Sequence, residues 1–84
     1  MPARWYRERM SRASSSVVWA TPLPLGSDLG PATMAAQLVR TELELFPAVV
    51  DVLPSTTPDT VIVVHEGPAR PAAWLAELRE AGIV

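Results

Sequence analysis

Thr60-Val61-Ile62-Val63-Val64-His65 is the stretch that decides the fold. Its apolar residues run without alternation, which reads as a strand covered on both faces, and Glu66-Gly67-Pro68 ends it. Towards the C terminus, residues 71–81 read as a helix with Trp74, Leu75, Leu78 and Ala81 on one face. Gly82 falls where a left-handed residue closes a helix, with Ile83 placed to touch Leu78 in a Schellman-type stop. Towards the N terminus, Pro54-Ser55-Thr56-Thr57-Pro58-Asp59 is a loop. Residues 48–53 read either as a kinked continuation of the preceding helix or as a short strand. Val49, Val50 and Val52 after Pro47 favour the strand.

Residues 31–46 form the other helical segment. Ala35, Val39, Leu43 and Phe46 recur at helical spacing, Leu38 and Leu45 broaden the stripe, and Gln37, Arg40, Thr41 and Glu44 fall on the other side. Pro31 suits a first helical position and Pro47 ends or kinks the helix. Residues 17–25 read as a strand with Trp19 in it. Pro22 and Pro24 cannot donate ladder hydrogen bonds, so its second half belongs at a sheet edge or leaves the sheet. Gly26-Ser27-Asp28-Leu29-Gly30 is the turn between strand and helix. The order is β-α-(β)-β-α: a small two-layer α/β domain with two or three strands, preceded by a basic arm. If the first and last strands are parallel, the 31–46 helix is a right-handed crossover between them.

Charge divides the chain at residue 16. Residues 1–16 hold Arg4, Arg7, Arg9 and Arg12 against Glu8 alone, a net +3, and end in the Ser-rich hinge 13–16. Residues 17–84 hold three arginines against eight acids, a net −5. The expected organisation is therefore an arm (1–16) with Trp5 and Tyr6 among its arginines, and a domain (17–84). Such an arm suits an anionic surface, including the body of another copy, where Glu42, Glu44, Asp51, Glu77 and Glu80 are available.

At 84 residues the chain makes one domain with a thin core. Cysteine is absent and His65 is the single histidine, so neither disulfides nor a thiolate or multi-histidine metal site reinforces it. Association with another chain is the remaining reinforcement. Arginine without lysine or asparagine, with abundant alanine, valine and proline, has the look of a bacterial or phage coding sequence. No apolar run approaches the roughly 20 residues that span a bilayer, and Val17-Val18-Trp19-Ala20 is too short for a signal-peptide core. The expected location is the cytoplasm, or a virion or larger complex.

Two places carry candidate chemistry. With parallel strands, Ser27 and Asp28 share the carboxyl edge of the sheet with His65 and Glu66, a conceivable acid–base or single-metal ligand edge. The plain alternative is a strand end with a surface histidine, beside a glycine turn lacking the lysine of a phosphate loop. The second place is the arm: Arg4, Trp5, Tyr6, Arg7, Arg9 and Arg12 form a partner-binding set. Trp19 and Trp74 are expected in the core.

These features point to a non-catalytic assembly or adaptor protein that binds protein chains. The partners are copies of itself, or a larger complex such as a virion, an injection machine or a multisubunit enzyme. No catalytic residue, cofactor or metal is expected on this reading. The alternatives are a nucleic-acid-binding regulator acting through the arm, for which +3 is a weak signature, and a small enzyme using the His65/Glu66 strand end.

Overall fold

A computed structural model describes residues 17–84. The arm residues Arg4, Trp5, Tyr6, Arg7, Arg9 and Arg12 lie outside the described residues. The elements follow in the order β1 (Val18–Pro24), α1 (Ala32–Leu43), β2 (Val49–Pro54), β3 (Thr60–Glu66) and α2 (Pro71–Glu80). This is a small α/β domain with a three-stranded sheet, and the ambiguous segment 48–53 is strand from Val49 on.

The sheet order is β1-β3-β2, and β3 is antiparallel to both neighbours. The parallel arrangement of first and last strands is thus corrected. β1 and β2, both opposed to β3, run parallel to one another with β3 inserted between them, and α1 is the crossover that joins them. The β2–β3 hairpin uses the loop of residues 55–59, short enough to dictate antiparallel pairing. Leu25 N–H extends the β1–β3 ladder by donating to Asp59 O at 2.7 Å.

Both helices cover one face of the sheet. α1 lies over β2 and β3, and α2 packs beside α1. Leu23, Val52, Val61 and Val63 from the sheet meet Ala35, Ala36, Val39 and Leu43 of α1 and Trp74 and Leu78 of α2. The β3 run is therefore not covered on both faces. Val61, Val63 and His65 are buried, whereas Ile62 and Val64 face the open side and remain partly exposed. A central strand in a two-layer domain needs apolar residues on its open side as well when its neighbours there are apolar.

α1 ends at Leu43, earlier than the apolar stripe suggests. Phe46 precedes Pro47, whose ring disfavours helical backbone at the residue before it. The chain leaves through tight turns, with Phe46 N–H donating to Leu43 O and Val49 N–H to Phe46 O, each at 3.0 Å. Leu38 and Leu45 are exposed and Phe46 is half-buried, so the buried stripe is narrower than its sequence. α2 closes as its glycine indicates. Gly82 has φ +78°, its N–H donates to Arg79 O at 3.0 Å, and Ile83 N–H donates to Leu78 O at 2.9 Å, the paired bonds of a Schellman stop.

Candidate functional site

Antiparallel pairing separates the expected ligand edge. Ser27 and Asp28 follow the C-terminal end of β1, which lies beside the start of β3, while His65 and Glu66 lie at the far end. Asp28 serves its own turn: its Oδ1 accepts Gly30 N–H at 2.9 Å, with Gly30 at φ +92°. Ser27 and Asp28 line a groove of about 380 Å³ with Ser55, Thr56 and Asp59. His65 and Glu66, adjacent in an extended strand, point to opposite faces. His65 enters the core and Glu66 is exposed. The four residues do not converge.

His65 is 1 % exposed, so it is neither a surface residue nor an open ligand. Its ring stands edge-on to Trp74, with centroids 5.1 Å apart and planes at 61°. Nδ1 lies 3.1 Å from Gly67 O. A carbonyl only accepts, so Nδ1 donates there. In the neutral ring Nε2 is then the acceptor for the Thr21 hydroxyl at 2.6 Å. This chain of hydroxyl, imidazole and carbonyl fixes the ring in one tautomer and satisfies both nitrogens.

Outside that chain lies an apolar cleft of about 360 Å³, formed by Trp19, Thr21, His65, Gly67, Pro68 and Ala69. Trp19 pairs with His65 in the β1–β3 register, so it stands on the helix side of the sheet. It nevertheless is 56 % exposed, because the helices do not extend over this end of β1. Trp74, by contrast, is 2 % exposed. Only Trp74 of the pair is a core residue. Val17 and Val18 are more than half exposed beside Trp19.

The ladder leaves the two sheet edges unequal. Leu25 N–H points to β3, and in a strand successive N–H groups alternate sides. Trp19, Thr21 and Leu23 therefore face β3, while Val18, Ala20, Pro22 and Pro24 face outward. The prolines have no N–H to offer, so the outward donors of β1 are Val18 and Ala20. On β2, Glu66 N–H donates to Ala48 O at 2.8 Å, and the bulge between Val49 and Asp51 shifts the alternation, so that Ala48, Asp51 and Leu53 face β3 while Val52 and Pro54 face outward. Val49 N–H is taken by Phe46 O, the outward Val52 N–H by the Asp51 carboxylate at 2.8 Å, and Pro54 has none. Asp51 is steadied by Arg40 at 3.5 Å, an exposed pair whose worth is orientation. Among the described residues, the β2 edge is blunted by its bulge, the Asp51 cap and Pro54, while half of the β1 edge is open. The proline spacing carried this signal in the sequence; the Asp51 cap did not, since it depends on the bulge between Val49 and Asp51.

The sheet face opposite the helices carries Val18, Ala20 and Pro22 from β1, Ile62, Val64 and Glu66 from β3, and Asp51 and Leu53 from β2, by the observed registers: an apolar centre with a carboxylate at its margin on each of β2 and β3. Val18 and Leu53 rank among the exposed large apolar residues. Among the described residues, no helix is long and apolar enough to cross a membrane. Comparison with known proteins finds no matching family model, no similar curated protein and no similar solved structure.

Proposed function

We propose that this is a non-catalytic assembly or adaptor protein that works by binding protein chains, its own copies included. The observation that carries the reading is the one-sided sheet. Helices cover one face, and the other presents Val18, Ala20, Pro22, Leu53, Ile62 and Val64 with no second layer over them among the described residues. Contiguous apolar surface of this kind marks interaction sites in soluble proteins. The described body is acidic, with three arginines against eight acids, which favours a protein surface over a nucleic acid as the partner of this face. The arm adds a complementary charge for a neighbouring body.

The test is the mass of the full chain in solution, by sedimentation from micromolar to millimolar concentration. The expected result is a reversible species heavier than the 9.1 kDa chain. A 9.1 kDa monomer throughout the range overturns self-association. Nucleic-acid binding that survives physiological salt moves the function to the arm.

A further inference from the structure

We infer that a second copy of this chain pairs with it edge to edge along β1, about a twofold axis at Ala20. The inference rests on the assembly reading above and names its surface. The open donors of β1 are Val18 and Ala20, and the next outward positions are Pro22 and Pro24. In an antiparallel pair centred on Ala20, Ala20 of each copy exchanges both main-chain bonds with Ala20 of the other. Val18 N–H of each donates to Pro22 O of the other. Every outward amide of the two edges is then bonded, and each proline sits where only its carbonyl is used. The prolines thus fit this pairing.

The side chains agree with the backbone. Trp19 and Thr21 face β3 with their amides, so across the new seam they form the non-hydrogen-bonded pair, where side chains approach most closely. Trp19 of the second copy lies across from Thr21, at the mouth of the cleft of about 360 Å³ floored by Thr21 and His65. The cleft is largely apolar, and its volume leaves room for an indole ring. Val17, Val18 and Trp19, at 60 %, 51 % and 56 % exposed, are the residues that lose water in this contact. Residues 17–25 hold no charged side chain, so this edge lacks the lysine or glutamate that commonly guards an unpaired strand. The bulged and capped β2 edge disfavours growth beyond two copies. The product is a continuous six-stranded antiparallel sheet, isologous rather than filamentous.

Sedimentation of the full chain beside Ala20→Pro and Trp19→Ser decides it. Ala20 faces outward, so proline there removes no bond to β3, while it removes the central bonds of the seam. Trp19→Ser removes the indole and leaves every main-chain bond. The expected wild-type species has about twice the 9.1 kDa chain mass. Each variant stays folded by circular dichroism, with its dissociation constant raised at least about tenfold, the loss of on the order of one or two hydrogen bonds or a buried ring. If Ala20→Pro fails to fold, Trp19→Ser carries the decision. An associating wild type whose folded variants associate equally overturns the β1 seam while leaving the assembly reading standing. Growth beyond a dimer overturns the twofold. A wild type that stays monomeric overturns the seam and self-association together.

Discussion

Thr21 and His65 are separated by 44 residues of sequence and joined by one short hydrogen bond. The bond matters because of where its acceptor lies. His65 is 1 % exposed, so its Nε2 loses its protein partner at a nearly buried position if the hydroxyl is removed. Thr21→Val keeps the shape of the side chain and deletes only that donor. The expected loss of stability is about 1–3 kcal/mol, the cost of a buried polar atom left without a partner. Thr21→Ser, which keeps a hydroxyl, is expected to lose less. Urea denaturation of the three proteins measures the difference, and equal midpoints for Thr21→Val and wild type contradict the assignment. His65 also shows a limit of sequence reading at this scale. Inward and outward positions of a strand are read from alternation, and the run from Val61 to Val64 has none. Nothing in it told which way the following histidine points. Trp19 and Trp74 raise the same difficulty, because exposure depends on how far the helices reach over the sheet.

Between elements, the contact of α1 with α2 holds an acidic pair. The Glu77 carboxyl is raised above the ordinary carboxylate range, chiefly by a hydrogen bond with the Glu42 side chain, then by desolvation and the charges of Glu42 and Glu80. A raised carboxyl pKa means that the native state binds more protons than the unfolded chain in the window just above the ordinary value. Stability therefore falls as pH rises through that window. Glu77→Gln removes the repulsion, so its melting temperature is expected to exceed that of the wild type slightly at neutral pH. The gap closes as acid protonates Glu77. Thermal melts at neutral and mildly acidic pH check the sign; a variant less stable at neutral pH contradicts it. The elements themselves were largely legible. Helical spacing marked both helices, Gly82 marked a stop, and β-branched runs marked β1 and β3. Pairing direction was not, since a helix between two strands is compatible with β3 lying either beside them or between them. The ligand edge of Ser27, Asp28, His65 and Glu66 depended on that direction and dissolved with it.

For the whole molecule, the division at residue 16 predicts separable duties. The described body from Val17 onward has its own core of sheet and helices. Deleting residues 1–12 is expected to leave its circular dichroism and cooperative melting intact while weakening association. Much of the charge complementarity of a +3 arm for a −5 body goes with the deletion. Sedimentation and melting of the truncated chain check both halves. Unfolding places the arm in the core, and unchanged association makes it a bystander.

The position of β3 between β1 and β2 has a consequence for how the chain finds its structure. β2 and β3 meet across the loop of residues 55–59, a local closure, whereas β1 meets β3 first where Leu25 bonds Asp59, a span of 59 − 25 = 34 residues. The longer closure costs about 2 kcal/mol more in chain entropy. The hairpin is therefore the natural nucleus and β1 the last strand to zip on, guided by α1 as it docks. Until it does, the β1 side of β3 is bare. A nascent chain is most exposed to mispairing in that interval, and the prolines of β1 limit what can take the vacant place of its partner.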